Sequence, residues 1–337
     1  MRKEVLNILY WNIHYEAGTK IIKKDKLDYA ADFVIKHLDN FIEEKSINVV
    51  ILTEAYPQIE EGNENNKILK HYKDDFDVFP YEPSNDFIKR KYKANYCFAV
   101  PKFSNSVIIM TKKCLGFKID SLQFITEYPN LLSIKNDKVQ ILGLRFCQGG
   151  YSIIDQVKRI KGEIKFDENK PVIAFGDYNP SLLRGKLIEN ELLSMNINKK
   201  DHPNNINVVY DELFKKILNI NKSCTIECSA GTNVNKNGED TFPDKLTLFN
   251  IGERCINNVI FDRLKTAEEL YFRDEDIDHK THHLKDKKFD KAIMKEKEEF
   301  ERLKVYIKSY KNSGLSVIPP FPDHNLLFAS IDIGYDE

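Results

Sequence analysis

The 337-residue chain has little of the residue types that mark several specialised classes of protein. Six scattered cysteines are too few for the disulfide framework of a small secreted domain. With 14 glycines and 12 prolines, the chain is neither fibrous nor of low complexity. No apolar run reaches the roughly 20 residues that a membrane-spanning helix needs. We therefore predict a cytoplasmic globular protein with reduced thiols and no membrane association.

Net charge is nearly absent as well, because 51 Lys and Arg residues are balanced by 52 Asp and Glu residues. Proteins that coat nucleic acid by bulk attraction carry a large positive excess, so the composition excludes that class. It does not exclude a local basic surface that contacts a substrate.

One segment, Lys280–Lys311, departs from this balance with eleven Lys or Arg and six Asp or Glu residues. Within it, Phe289, Ile293 and Phe300 recur at helical spacing. The pattern predicts a long charged helix in an insertion at about residues 265–315. Either this helix packs on the domain through its apolar face, or it contacts an anionic substrate or a protein partner.

Short apolar runs rich in β-branched residues predict buried strands along the chain. These runs are Val5–Trp11, Asn48–Thr53, Ser106–Met110, Lys138–Phe146, Val172–Phe175 and Leu326–Ile333. Apolar residues spaced by three and four from Leu27 to Phe41 predict a helix, and Ile154–Ile164 is a weaker helix candidate. No repeat or flexible linker divides the chain, so we predict a single α/β domain over residues 1–337.

Acidic and amide residues stand at the edges of several of these runs, where layered α/β proteins gather their ligands. These residues are Asn12, Glu54, Asp177, Asn179, Asp323 and His324. Oxygen ligands with few thiolates suit Mg2+ or Mn2+, and such an ion polarises a phosphoryl oxygen. Each motif alone also fits an ordinary turn, but together they indicate phosphoester chemistry.

The order of these motifs resembles the endonuclease/exonuclease/phosphatase superfamily of metal-dependent phosphoesterases. The resemblance rests on Trp11-Asn12-Ile13-His14, Glu54, Gly176-Asp177-Tyr178-Asn179 and Asp323-His324, which cover nearly all of the chain. It implies a four-layer α/β/β/α sandwich of two mostly antiparallel sheets flanked by helices, with the site at one edge of the paired sheets.

The resemblance also implies roles for these residues. Glu54 would be the main metal ligand with Asn12 beside it, and Asp323 would be a second carboxylate that serves the metal or the histidine. Asp177 would orient the attacking water, Asn179 would contact the scissile phosphate, and His324 would be the catalytic histidine. We also expect Asn12 and His14 to contact the substrate.

One departure from the family pattern is Arg145, at a position where the family usually has His or Tyr. Arginine can bind a phosphate through two hydrogen bonds but cannot give up a proton to a leaving group. Gln148 would supply a further phosphate donor. The alternative is that Arg145 points into solvent.

A second departure concerns the residue that orients the catalytic histidine, which is an aspartate in the family. Aligning Arg254–Phe261 with the family's late strand places Asn257 at that position. An amide accepts the imidazole N–H but stabilises imidazolium less than a carboxylate does. The segment Thr241–Pro243 also resembles the approach to that strand, and Leu246–Leu248 offers an alternative alignment.

The run Phe87–Lys93 interleaves Lys89, Arg90 and Lys91 with aromatic residues, which would suit a nucleic-acid backbone and a stacked base or else a solvated loop. The favoured function is a Mg2+-dependent phosphodiester hydrolase, specifically a nuclease that cleaves DNA or RNA. One alternative is an enzyme for a small phosphoester, such as an inositol phosphate, a lipid headgroup or a nucleotide signal. Another is a binding module without catalysis, since fold alone does not separate these functions.

Overall fold

In the computed structural model, two six-stranded sheets carry helices on their outer faces. The structure describes residues 2–13, 24–55, 67–79, 107–123, 130–147, 151–167, 170–199, 205–228, 230–234, 240–250, 256–265 and 324–335. Of the insertion predicted at about 265–315, residues 266–315, including Lys280–Lys311, lie outside these ranges. Its helical character and the extent of the domain therefore stay predictions.

The first sheet and the second sheet each contain one parallel strand pair near the middle. The strands are β1 (Arg2–Asn12), β2 (Val49–Thr53), β3 (Phe76–Phe79), β4 (Ile108–Lys112), β5 (Lys118–Gln123), β6 (Asn130–Lys135), β7 (Gln140–Arg145), β8 (Val172–Asp177), β9 (Ser223–Glu227), β10 (Asn233–Val234), β11 (Asp240–Thr241), β12 (Asp244–Phe249), β13 (Ile256–Lys265) and β14 (Leu326–Tyr335). The first sheet has the order β13-β14-β1-β2-β4-β3, and the second has the order β5-β6-β7-β8-β12-β9. The parallel pairs are β1 with β2 and β7 with β8, whereas all other neighbours in these sheets are antiparallel.

Five α-helices are seen in the described ranges, and most pack through apolar faces. They are α1 (Lys24–Glu44), α2 (Lys67–Tyr72), α3 (Ile153–Glu163), α4 (Lys186–Ser194) and α5 (Ile206–Phe214). Val34 and Leu38 of α1 pack on the first sheet, and Val157 of α3 and Phe214 of α5 pack on the second. No helix in the described part of the chain is long and apolar enough to cross a membrane.

Alternation of side chains along the strands separates three apolar layers. In β1, Leu9 and Trp11 face the helices, while Ile8 and Tyr10 face the second sheet. Tyr10 stacks on Phe175 of β8 with ring centroids 4.6 Å apart, so the sheets meet through their inner faces. This arrangement confirms the predicted four-layer α/β/β/α sandwich with mostly antiparallel sheets.

Candidate active site

The carboxyl ends of the two parallel strand pairs meet at one edge of the sandwich. Asn12 ends β1 and Glu54 directly follows β2, its parallel neighbour. Arg145 and Asp177 end β7 and β8 and are paired in register. Parallel strands place their carboxyl ends at the same edge, which explains why residues distant in sequence meet here. Asp244 joins them because it begins the antiparallel strand β12 opposite Asp177.

Glu54 is the centre of the contacts from the first sheet. Its carboxylate Oε1 accepts a hydrogen bond from Asn12 Nδ2 at 3.1 Å. The same oxygen lies 2.5 Å from Arg145 Nη2, which comes from the second sheet. Glu54 is only 3% exposed and has a left-handed backbone φ of 52°, so the chain holds this carboxylate in a buried and locally strained position.

His324 is held by contacts on both sides of its ring. Its Nδ1 lies 2.7 Å from Asp244 Oδ2, and since a carboxylate accepts, Nδ1 is the protonated nitrogen. Asp244 Oδ1 accepts a hydrogen bond from the Tyr10 hydroxyl at 2.9 Å. Trp11 Nε1 donates to the backbone carbonyl of His324 at 3.0 Å. His324 Nε2 is 3.4 Å from Asn12 Nδ2, the amide nitrogen that also donates to Glu54.

These contacts correct the prediction that Asn257 orients the histidine. The backbone of Asn257 lies in β13 between Ile256, paired with Ile333, and Asn258. Ile333 pairs with Glu4, near the start of β1, whereas the site is at the opposite end of that strand. Asp244 occupies the orienting position instead.

The signal for Asp244 was present in the sequence, because it directly follows Thr241–Pro243. The alignment on Arg254–Phe261 is wrong because the residue that contacts His324 lies about a dozen positions earlier, at Asp244. The alternative alignment on Leu246–Leu248 lies in the strand that Asp244 begins.

Buried Asp177 and half-buried Asn179 form a second unit beside Glu54. The backbone N–H of Asn179 donates to Asp177 Oδ1 at 2.9 Å. Asn179 Nδ2 donates to the Phe146 carbonyl at 2.5 Å and to Asp177 Oδ2 at 3.2 Å. Asn179 has a φ of 42°, a left-handed conformation that asparagine tolerates better than most residues. These bonds fix the direction of the Asp177 carboxylate.

Electrostatics oppose ionisation of Asp177. Burial, followed by the neighbouring Asp244, raises the pKa of Asp177 to about 7, although His324 and Arg145 act in the other direction. A carboxyl group with a pKa near neutrality can exchange a proton under ordinary conditions. Asp177 therefore has the electrostatic character of an acid–base residue.

Arg145 does not point into solvent, so that alternative is excluded. Its side chain is 15% exposed and contacts Glu54, while its Nε lies 3.8 Å from Asp177 Oδ2. The chain after β7 is fixed by Gln156 of α3, whose amide exchanges two 3.0 Å hydrogen bonds with the backbone of Cys147. The guanidinium is thereby positioned between carboxylates from both sheets.

The remaining sequence candidates are not tested by the structure. They are His14, Lys89, Arg90, Lys91, Gln148 and Asp323, all outside the described residues. Their assigned roles in metal, phosphate or substrate binding stay predictions. Among the residues that the sequence singled out, the structure brings Asn12, Glu54, Arg145, Asp177, Asn179 and His324 together.

The donor chemistry fits a hard divalent cation. Three carboxylates, from Glu54, Asp177 and Asp244, are buried near one another. The permanently charged Arg145 contacts two of them, Glu54 and Asp177. This excess of negative charge and the oxygen-rich set suit Mg2+ or Mn2+. Over the ranges that the structure describes, no three His, Cys, Asp or Glu side chains form a ready metal cage. Glu54 and Asn12 are the residues best placed to hold such an ion.

Comparison with known proteins gives structural matches alone. No family model matches the chain, and no curated protein matches it either. The chain is similar to Danio rerio (D. rerio) TDP2 complexed with single-strand DNA product, at 13% identity, 97% coverage of this chain, 98% coverage of that chain and a TM-score of 0.45. It is also similar to an AP endonuclease from Archaeoglobus fulgidus, at 12% identity over 96% and 98% of the two chains with a TM-score of 0.44. For beta toxin from Staphylococcus aureus the identity is 13%, the coverage 98% and 100%, and the TM-score 0.46. Identities and TM-scores this low carry no argument about activity, which has to be made from the site.

Proposed function

We propose that this protein is a Mg2+- or Mn2+-dependent phosphodiester hydrolase whose substrate is DNA or RNA. The observation that carries the proposal is the meeting of Glu54, Asn12, Asp177 and the His324–Asp244 pair at one edge of the sandwich. A carboxylate–amide pair, an acid–base carboxyl and an oriented histidine can together activate a water and stabilise the charge that develops on a phosphodiester.

Glu54 and Asn12 would hold the divalent cation, which when bound supplies Lewis-acid polarisation of a phosphoryl oxygen. Asp177 would accept the proton of the attacking water, with its carboxylate aimed by the backbone N–H of Asn179. The amide of Asn179 already donates to Phe146 and to Asp177. A contact from this amide to the scissile phosphate would therefore require one of these bonds to be exchanged.

His324 would act on the negative charge that develops at the phosphate. Its Nδ1–H is donated to Asp244, so Nε2 is left facing the site. When protonated, Nε2 would donate to a phosphate oxygen or to the leaving oxygen, and Asp244 would stabilise the imidazolium. Tyr10 fixes Asp244 in turn through its hydroxyl.

A nucleic-acid substrate is favoured by basic sequence runs beyond the site. The cations of Lys89–Lys91 stand between Phe87 and Tyr92, and Lys280–Lys311 has an excess of positive charge. Such segments would contact the backbone of a polymer. The Lys280–Lys311 helix would equally serve a protein partner, which is a separate prediction.

A small phosphoester is the second candidate, and the position of Arg145 favours it. A guanidinium buried beside the site suits the terminal phosphate of a compact substrate through two hydrogen bonds. The near-zero net charge of the chain also provides little long-range attraction for a polymer.

The experiment that tests the proposal is hydrolysis by purified protein with Mg2+ or Mn2+. Plasmid DNA, oligonucleotide DNA and RNA are compared with a panel of inositol phosphates, lipid headgroups and cyclic nucleotides. Cleavage of nucleic acid should be lost in Asp177→Ala and retained in Asp137→Ala, an exposed carboxylate in the turn at the opposite end of β7. Turnover confined to the panel would establish the second candidate, and equal background for all three proteins on every substrate would refute both.

A further inference from the structure

The shortest ion pair of the site joins Glu54, the carboxylate that would hold the cation, to Arg145 of the other sheet. Arg145 Nη2 lies 2.5 Å from Glu54 Oε1, the oxygen that also accepts from Asn12. The guanidinium of Arg145 therefore lies beside the carboxylate oxygen that a bound cation would use as a ligand. Glu54 and Arg145 are both largely buried, so water screens this interaction weakly.

A divalent cation and the guanidinium would compete for the Glu54 carboxylate, because both are positively charged and the same oxygen already contacts Arg145. Two positive charges a few ångströms apart repel each other, and the repulsion is larger in a buried site than in water. A cation that binds Glu54 must therefore either be weakened by Arg145 or move the guanidinium away.

The surroundings of Arg145 give the guanidinium a second place to go. Its backbone is fixed at the end of β7 in register with Asp177, so a moved side chain stays at the same edge of the sandwich. Its Nη1 lies 3.5 Å from the Cys147 thiol, whose sulfur is a weak acceptor. A phosphate at this edge would offer the guanidinium two charge-assisted hydrogen bonds.

We propose that Arg145 is an exchangeable counter-ion of Glu54. It neutralises Glu54 when no divalent cation is bound, and it is displaced toward the substrate phosphate when the cation binds. Cation and phosphate binding are then coupled, since each favours the released position of the same guanidinium. This inference rests on the proposed metal-dependent function because it uses the same cation site.

Titration calorimetry with Mn2+ alone tests the competition without any turnover. Arg145→Ala should bind Mn2+ about tenfold more tightly than the wild-type protein, within the range typical of coupled sites. Arg145→Lys keeps the competing charge and should stay near the wild-type affinity. Lys158→Ala removes an exposed charge from α3 and serves as the control for net charge. Equal or weaker Mn2+ binding by Arg145→Ala would overturn the proposal.

A second measurement uses the wild-type protein, so it does not depend on the folding of a variant. Phenylglyoxal modification of Arg145, mapped by mass spectrometry, should increase when Mn2+ is added and decrease when inorganic phosphate is then added. Reactivity of Arg145 that Mn2+ leaves unchanged or lowers would contradict the displacement.

The two proposals fail in different ways. Tighter Mn2+ binding by Arg145→Ala without cleavage of any phosphodiester would leave the exchange standing and remove the proposed function. Cleavage of phosphodiesters with no gain in Mn2+ affinity in Arg145→Ala would keep the function and remove the exchange.

Discussion

The carboxyl group of Asp177 is buried, and burial together with the neighbouring Asp244 penalises its charge more than His324 and Arg145 favour it. Its pKa in the folded protein is about 7, against an ordinary value of 3.8. The folded state therefore binds a proton more readily than the unfolded chain between these values. The stability that this provides is fully present below about pH 4 and is lost as the pH rises through about 7.

This sign gives a prediction for the protein in the presence of a chelator. Between about pH 4 and pH 7, the free energy of unfolding should fall more steeply with rising pH in the wild-type protein than in Asp177→Asn, because the amide does not titrate. Urea unfolding at several pH values measures both slopes. Identical slopes in the two proteins would show that Asp177 does not contribute.

Individual site residues were predictable from sequence where they directly follow an apolar strand. Glu54 and Asp177 were found in this way, because each ends a run of buried β-branched or aromatic residues. Asp244 was missed because it is the first residue of its strand, so no apolar run leads up to it. The contact of Arg145 with Glu54 depends on how two sheets pack, which no local pattern records.

At the scale of elements, the close approach of β7 and β8 depends on Gly176. It pairs with Leu144, and a Cβ at this position would lie 1.8 Å from the Leu144 carbonyl oxygen. Only a residue without a side chain allows the two parallel strands to keep Arg145 and Asp177 in register. The glycine therefore belongs to the architecture of the site.

Replacing this glycine should be costly, whereas another glycine provides a matched control. Gly176→Ala should lower the free energy of unfolding by about 1–3 kcal/mol through overpacking. Gly162 lies in α3, where an added Cβ would meet no atom within 4 Å. Gly162→Ala should therefore raise the free energy of unfolding by about 0.5–1 kcal/mol. Urea unfolding measures both changes, and a neutral effect of Gly176→Ala would refute the close approach.

The six predicted strands and the two predicted helices that fall within the described ranges are confirmed as elements, with ends shifted by a few residues. Two of the strands that escaped prediction have charged residues inside them. In β12, Lys245 is fully buried and forms an ion pair with Glu227 of β9, so the run looks like a surface segment in sequence. In β5, the sequence KIDSLQ has too few apolar residues to show a clear period.

At the scale of the whole molecule, the site exists only where the two sheets meet. Tyr10 of the first sheet stacks on Phe175 of the second and donates to Asp244, which holds His324. The same hydroxyl bonds Thr53 beside Glu54 at 2.9 Å. Tyr10 therefore links the packing of the sandwich to the geometry of its edge.

Tyr10→Phe keeps the stacked ring and removes only this hydroxyl. It should lower the free energy of unfolding by about 1–3 kcal/mol, because buried Asp244 loses a donor. It should also lower kcat for phosphodiester hydrolysis, since Asp244 is freed to shift relative to His324.

Tyr72→Phe is the matched control, because its hydroxyl donates to Asp39 at 2.8 Å on the helix side of the first sheet. It should lower stability while leaving kcat unchanged. Equal kcat values in both variants, measured beside thermal unfolding, would separate Tyr10 from the catalytic geometry.

The backbone of Glu54 has a left-handed conformation that residues other than glycine rarely adopt. Glycine would accept this conformation without the steric penalty. The relief of strain would be about 1–2 kcal/mol, whereas loss of the carboxylate would leave the buried Arg145 without its 2.5 Å ion-pair partner and would cost about 3–5 kcal/mol. Glu54→Gly would therefore lower the free energy of unfolding, so directed evolution by survival of heat alone would retain this carboxylate even without any selection for activity.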